Sequence, residues 1–94
     1  MIEVGILQFT LRLRGCRTLK DKRRIVKSIK DRLRARHNVS VAEIDDLDVY
    51  QKSTLGLTTC SNDSKMIVAE LSRILDQLRM HPEAELIDHQ LEIL

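Results

Sequence analysis

The sequence is poor in aromatic residues, since Phe9 and Tyr50 are the only two in a chain of 94. Its core must therefore be built from aliphatic side chains. Cys16 and Cys60 lie far apart in sequence and fit neither a disulfide framework nor a zinc site. Gly and Pro are also scarce, and they fall between periodic segments. These absences predict one continuous domain over residues 1–94, with reduced thiols.

Long apolar runs are missing too. No segment approaches the roughly 18–20 apolar residues that a membrane-spanning helix requires. The N-terminal segment MIEVGILQFTLRL has no basic leader and no small-residue cleavage site, which argues against a signal peptide. We therefore expect a cytoplasmic protein with no membrane partner.

The sequence contains no pattern typical of a catalytic or metal site. It has no Gly-rich phosphate loop, and the acidic segment 45–48 lacks the alternating ligands and glycine of a calcium loop. His37, His81 and His89 are scattered, and the phase of His89 predicts that it packs inward. Only Cys16 follows an arginine-rich turn at a helix start, where a thiol pKa can be depressed. We expect no enzymatic activity, no catalytic residue, no metal and no cofactor.

Hydrophobic periodicity predicts two helices and four strands. Apolar and polar residues alternate in the first strand, whereas the helices have apolar residues at helical spacing. Thr18, with Asp21 three residues later, predicts the cap of the first helix. The predicted elements are a strand that includes residues 7–13, a helix over 19–37, strands over 38–44 and 49–60 around a turn at 45–48, a helix over 64–80 and a strand over 84–94.

This order, βαββαβ, predicts an α+β fold. In a ferredoxin-like sandwich, a four-stranded sheet in the order 4-1-3-2 carries two helices on one face. We expect strands one and three to be central and parallel. Cys16 and Cys60 each follow one of these strands, so they should lie close together.

Positive charge is concentrated in one segment. Residues 12–36 contain twelve Lys and Arg residues and two acids, a net charge of +10, whereas residues 37–94 have a net charge of −7. Such a segment attracts polyanions, and its contacts with phosphates weaken as salt rises. Most of these basic residues lie opposite the apolar stripe of the first helix or in the turn before it. The candidate RNA-binding residues are Arg12, Arg14, Arg17, Lys20, Arg23, Arg24, Lys27, Lys30 and Arg34.

Two interpretations of this basic face remain open. It contacts the phosphate backbone of RNA, or it is a solvated helix face that acids elsewhere in the fold partly neutralise. Proteins of the RNA-recognition-motif type share the βαββαβ order and stack bases on sheet aromatics. Their aromatic signature is absent here, because Phe9 has the core phase and only Tyr50 is available. RNA binding would therefore rest on shape and phosphates.

An apolar patch is predicted on the uncovered face of the sheet. Ile2, Val4 and Ile6 are out of phase with the core residues of the first strand. Tyr50 and Leu94 should lie close to them. Exposed apolar patches usually mark interfaces, so these five residues are the candidate interface of a homodimer. The alternative is a bulge near Ile6 that turns the first three inward.

Five short segments form a distinctive combination: TLKDKRR at 18–24, NVSVAE at 38–43, LG at 55–56, SND at 61–63 and LIDH at 86–89. Together they resemble the YlxP-like family, a bacterial domain of unknown function, over nearly the whole chain. The resemblance implies a ferredoxin-like α+β fold. It also implies a link to ribosome maturation or translation, because family genes often lie beside those for a ribosome-binding factor and an initiation factor. It brings no catalytic residues, and Tyr50 stands where family members often have Trp.

We therefore expect a non-enzymatic protein that binds RNA or a ribosomal particle through the first helix and the turn at 14–18. The alternative is an interaction module that self-associates through its open sheet face. A third class, a small-molecule sensor, rests on analogy of fold alone. Salt-sensitive RNA binding favours the first hypothesis, and salt-insensitive dimerisation without RNA affinity favours the second.

Overall fold

The computed structural model describes residues 1–94 and contains four strands and two helices. The elements are β1 (Glu3–Arg12), α1 (Leu19–Arg36), β2 (Ser40–Asp45), β3 (Lys52–Ser61), α2 (Ser64–Arg79) and β4 (Glu85–Ile93). The strands form one sheet in the order β2-β3-β1-β4, which confirms the predicted α+β ferredoxin-like topology. Neither helix is both long and apolar enough to cross a membrane.

The central strands run antiparallel, so the prediction of a parallel pair is wrong. Glu3 lies opposite Ser61, and Arg12 lies opposite Lys52. The reason is the connectivity: α1 returns the chain so that β2 follows the direction of β1, and the β2–β3 connection then reverses it. This reversal also separates the two cysteines. Cys60 lies opposite Val4 at one end of the sheet, whereas Cys16 follows the other end of β1.

The core lies between the sheet and the two helices. Leu7 is paired with Leu57 and Phe9 with Leu55, and paired residues share a face of the sheet. Gly5 lets α2 approach β1 closely, because a Cβ at this position would clash with Ile67. The helices contribute the following buried residues to the aliphatic core: Ile25, Val26, Ile29 and Leu33 from α1, and Ile67, Leu71, Ile74, Leu75 and Leu78 from α2.

Helix α1 begins where its cap predicts. Thr18 Oγ1 accepts a hydrogen bond from the Asp21 backbone N–H at 3.1 Å, and Asp21 Oδ2 accepts one from the Arg17 N–H at the same distance. The bond from the Arg17 backbone is the main reason that the pKa of Asp21 lies below its ordinary value. The helix ends at Arg36, and His37 is its C-cap, with its N–H bonded to the Leu33 carbonyl.

Two local expectations do not match the structure. Strand β3 begins at Lys52, not at 49, because residues 46–51 form a loop in which Asp46 has a left-handed φ of 61°. His89 lies opposite Phe9 and therefore has the predicted helix-side phase, but its side chain is exposed. Because β4 is an edge strand, solvent reaches His89 despite this phase.

Candidate nucleic-acid interface

The basic residues of α1 line two clefts on opposite sides of the helix. One cleft, of about 530 Å³, lies toward β4 and contains Arg12, Arg14 and Arg24 together with Glu83 and Glu85. We call it the β4-side cleft. The other, of about 460 Å³, lies toward β2 and the 46–51 loop. This β2-side cleft is lined by the basic residues Lys22, Arg23, Lys27, Lys30 and Arg34, and by Val26, Asp31, Glu43, Leu47 and Asp48.

Acidic residues partly neutralise the β4-side cleft. Arg14 Nε lies 3.2 Å from Glu85 Oε2, and Arg12 Nη1 lies 3.9 Å from the same atom. Arg24 Nη2 lies 3.3 Å from Glu83 Oε2. Exposed ion pairs of this kind contribute only about 0–1 kcal/mol, so a phosphate could displace the carboxylates. Three of the predicted RNA-binding residues therefore have intramolecular partners.

The β2-side cleft keeps more of its positive charge. Asp31 is shared by Lys27, whose Nζ lies 2.6 Å from its Oδ2, and Arg34, whose Nη1 lies 3.7 Å from its Oδ1. The hydrogen bond from Lys27 is the main cause of the lowered pKa of Asp31. Arg34 also donates to the Val41 carbonyl at 2.8 Å. Arg23 and Lys30 have no carboxylate within 4.0 Å.

Two further predicted residues extend this unpaired charge toward the start of α1. Arg17 lies in the turn before the helix, and Lys20 lies in its first turn. Both side chains are exposed, and neither has a carboxylate within 4.0 Å. Lys20 and Arg23 are three residues apart, which places them on neighbouring positions of one helix face. Arg17, Lys20, Arg23 and Lys30 are therefore the cations of the predicted set that lack an acidic partner.

A buried lysine that is not among the predicted functional residues lies beneath the β2-side cleft. The Lys22 side chain is 2% exposed, and its Nζ lies 2.8 Å from Glu43 Oε2. The ammonium also donates to the backbone carbonyls of Asp46 and Leu47, and Ser53 Oγ donates to Glu43 Oε2 at 2.7 Å. Three acceptors match the three ammonium donors. The available signal was helical phase, since Lys22 precedes Ile25 and Val26 on the apolar stripe.

Cys16 is buried next to the β4-side cleft. Cys16 is only 1% exposed, and burial is the main factor that raises the pKa of its thiol. The sequence-based expectation that the neighbouring arginines could depress this pKa is therefore wrong: removing the thiolate from water outweighs the attraction of Arg24 and Lys22. The other cysteine, Cys60, is exposed. The structure has no group of three or more His, Cys, Asp or Glu residues that could hold a metal ion.

The five residues of the candidate dimer interface do not lie together in the structure. Ile2 and Leu94 are 67% and 66% exposed, and the Leu94 N–H donates to the Val4 carbonyl at 2.9 Å. Val4 and Ile6 are half-buried on the open face of the sheet. Tyr50 does not join them. Because β1 and β3 are antiparallel, Tyr50 lies beyond the Arg12–Lys52 pair, at the opposite end of the sheet from Ile2.

Comparison with known proteins identifies a family and a fold. The model of the family described as "Protein of unknown function (DUF503)" matches residues 4–91. "Uncharacterized protein YlxP" of Bacillus subtilis (strain 168) is 34% identical over 68 residues, which cover 72% of this chain and 74% of that protein. Among solved structures, "De novo designed protein Foldit4" matches with a TM-score of 0.54 and 16% identity over 98% of this chain and 96% of that one. This last likeness concerns the fold alone.

Proposed function

This chain belongs to the DUF503 family of proteins of unknown function, and we propose that it is a non-enzymatic, cytoplasmic protein that binds the phosphate backbone of RNA, free or in a ribosomal particle. The binding surface is the β2-side cleft together with the turn before α1. The observation that carries the proposal is that four of the predicted RNA-binding residues have no acidic partner: Arg17, Lys20, Arg23 and Lys30.

The placement of these cations suits a polyanion better than a small anion. Arg17, Lys20, Arg23 and Lys30 follow α1 from the turn before it to beyond its middle. A helix rises 1.5 Å per residue, so Lys20 and Lys30, ten positions apart, are separated by about 15 Å along the helix axis. Consecutive phosphates of an RNA strand can contact such a row, whereas one small anion can reach only part of it. The positive end of the α1 dipole near Arg17 adds to the attraction.

The proposal is tested with two variants that change the net charge equally. Arg23→Glu/Lys30→Glu reverses two cations of the β2-side cleft. Arg36→Glu/Lys65→Glu reverses two exposed cations that also have no carboxylate within 4.0 Å but line neither cleft. We expect the first pair to weaken binding to a fluorescently labelled RNA by roughly an order of magnitude, and the second to change it much less. Both variants should keep the wild-type circular dichroism spectrum. Equal losses in the two variants would contradict a specific surface.

The same variants test association with ribosomal particles. Wild-type protein should pellet with the particles at low salt and be released at high salt, since phosphate contacts weaken as salt rises. The Arg23→Glu/Lys30→Glu variant should remain in the supernatant at both salt concentrations. Pelleting that does not depend on salt would point to protein contacts in place of RNA backbone.

A second candidate function is self-association through the open sheet face. It is favoured by two large apolar residues that are about two-thirds exposed close to Val4: Ile2, two residues before it, and Leu94, whose N–H bonds to its carbonyl. Val4→Lys places a charge in this patch and should yield monomers if the dimer forms. Sedimentation equilibrium decides the matter, because a wild-type protein that stays monomeric at high concentration excludes this interface.

A further inference from the structure

The loop between β2 and β3 exposes apolar side chains beside the β2-side cleft. Leu47 is 57% exposed, Val49 46% and Tyr50 44%. Leu47 lines the cleft together with Arg23 and Lys27. Three large apolar side chains on one short loop leave a substantial apolar area in water, and such patches usually mark binding sites.

The loop is held firmly at both ends. At its start, the buried Lys22 ammonium binds the carbonyls of Asp46 and Leu47, and Asp46 Oδ2 accepts a hydrogen bond from Thr54 Oγ1 at 2.8 Å. At its end, the Gln51 carbonyl accepts from the Leu13 N–H at 2.8 Å, and Gln51 Nε2 donates to the Cys16 carbonyl at 3.1 Å. The exposed residues 47–50 are thus presented on an anchored frame, which lowers the entropic cost of ordering the loop on a ligand.

These anchors also join the loop that carries Tyr50 to the turn before α1. Gln51, its neighbour in sequence, contacts the backbone of Cys16, which precedes Arg17 in the turn before α1. On the other side of the loop, Leu47 borders the same cleft as Arg23. The loop that exposes the Tyr50 ring thus contacts the turn before α1 at one end and borders the β2-side cleft at the other. Proteins that bind single-stranded nucleic acid combine cations, which contact phosphates, with aromatic rings, which stack on bases.

We propose that Tyr50, on the Lys22-anchored loop, stacks on an unpaired base of the RNA whose backbone contacts Arg17, Lys20 and Arg23. This inference rests on the proposed function and narrows its substrate to RNA with single-stranded nucleotides. Stacking on one ring tolerates any base, because every base has a π-face. A fully paired duplex keeps its bases stacked internally and can offer only its backbone to the same cations.

The test compares a short single-stranded oligouridylate with an RNA duplex of equal length. Stacking contributes about 1–3 kcal/mol per base, so Tyr50→Ala should weaken binding to the single strand at least about fivefold. It should leave duplex binding unchanged, and Tyr50→Phe, which keeps the ring, should retain wild-type affinity. Arg23→Glu should weaken binding to both RNAs and flatten the salt dependence, whereas Tyr50→Ala should not change that dependence.

Tyrosine fluorescence supplies a direct readout of the stacked state. The chain has no Trp, and Tyr50 is its only Tyr, so the signal comes from this side chain alone. We expect the oligouridylate to quench it and the duplex to leave it nearly unchanged.

The outcomes separate the two proposals. If Arg23→Glu weakens binding but Tyr50→Ala does not, the stacking proposal is overturned and RNA-backbone binding stands. If neither RNA binds the wild-type protein, both fail. If Tyr50→Ala disrupts a dimer that forms without RNA, the loop is a protein contact and the stacking proposal is again overturned.

Discussion

The clefts on the two sides of α1 have similar numbers of Lys and Arg residues, four on the β4 side and five on the β2 side, but they present different surfaces. On the β4 side, Glu83 and Glu85 lie within 4.0 Å of three arginines. On the β2 side, Glu43 binds the buried Lys22, Asp31 binds Lys27 and Arg34, and Asp48 has no basic group within 4.0 Å. Arg23 and Lys30 therefore remain unpaired. The difference shows that the number of basic residues does not decide which cations stay unpaired, because the tertiary placement of the acids does.

The largest expected effect is the loss of stability on replacing Lys22, the buried lysine beneath the β2-side cleft. Lys22→Met removes one partner of a buried pair, so the Glu43 carboxylate keeps only the hydrogen bond from Ser53 and two loop carbonyls lose the ammonium that donates to them. We expect a loss of about 3–5 kcal/mol in the free energy of unfolding, measured by urea denaturation. Lys20→Met, on the exposed side of the same helix, is the control and should change stability by less than about 0.5 kcal/mol.

A double variant identifies the reason for that loss. Lys22→Met/Glu43→Gln removes both charges and keeps an acceptor for Ser53, so it should be more stable than Lys22→Met alone. If the second substitution restores no stability, the loss in Lys22→Met comes mainly from the missing hydrogen bonds to the loop carbonyls and not from the unpaired Glu43 carboxylate.

A smaller effect is expected beneath the β4-side cleft, where the buried residue is Cys16. Cys16→Ser buries a hydroxyl and should cost about 1–3 kcal/mol. Cys60→Ser changes an exposed residue, so its melting temperature should match that of the wild type. In the folded protein Cys60 should react with a thiol reagent much faster than Cys16, whose pKa is raised by burial. Rapid modification of both thiols would contradict this account of the β4 side.

Removing the acids of the β4-side cleft should leave both clefts with unpaired cations. Glu83→Gln/Glu85→Gln releases Arg12, Arg14 and Arg24 from their ion pairs, so each can bind a phosphate. We expect RNA affinity to rise about fivefold at low salt, and the log–log salt slope to steepen by roughly 0.7 for each additional phosphate that is bound. Asp88→Asn/Glu92→Gln changes the net charge equally at exposed positions of β4. An equal gain in this control would show that net charge, not the released arginines, sets the affinity.

The smallest effect concerns the end of α1, away from both clefts. Glu70 Oε1 lies 2.7 Å from His37 Nδ1, and its Oε2 accepts from Arg73 at 2.6 Å. The hydrogen bond from Arg73, followed by that from His37, lowers the pKa of Glu70 from its ordinary 4.5. Because the pKa of Glu70 is lower in the folded state, its ionised carboxylate stabilises the fold at pH values above the ordinary pKa. This contribution disappears as the pH falls through the lowered pKa of the folded state.

Glu70→Gln should therefore be less stable than the wild type at pH 7, by about 1 kcal/mol or less. Thermal denaturation at a series of pH values should show the difference shrinking below about pH 4.5. Binding of RNA at pH 7 should not change, because Glu70 lines neither cleft. A difference in stability that persists unchanged at strongly acidic pH would contradict the assignment of these hydrogen bonds to the ionised carboxylate.

The sequence predicted most of the fold because its elements are strongly periodic. Alternation in β1, the Thr18 cap and the apolar stripes of the helices indicated the element order and the strand order 4-1-3-2. The relative direction of β1 and β3 was predicted wrongly, although it follows from the same connectivity. The loop at 46–51 was misjudged because Val49 and Tyr50 have strand-forming side chains, whereas hydrogen bonds from Lys22 and Thr54, outside the loop, hold it in place.

The candidate site was less predictable, because pairing between distant residues is not local information. Helical spacing placed Arg23 and Arg24 on one basic face, but only tertiary structure pairs Arg24 with Glu83, 59 residues away. The position of Tyr50 also depends on distant residues. A parallel pairing of β1 and β3 would place Tyr50 in the dimer patch, whereas the antiparallel register places it at the opposite end of the sheet. Lys22 could have been found from its position on the apolar stripe, but its partner Glu43 could not.

The salt dependence of RNA binding tests the central claim most directly. The logarithm of the association constant of the wild-type protein for single-stranded RNA should fall linearly with the logarithm of the salt concentration. Arg23→Glu/Lys30→Glu should flatten this slope by roughly 0.7 for each phosphate that is no longer bound, while Arg36→Glu/Lys65→Glu should keep the wild-type slope. A wild-type protein without measurable RNA affinity at low salt, or equal slopes for the wild type and the first variant, would contradict the claim that the β2-side cleft binds RNA backbone.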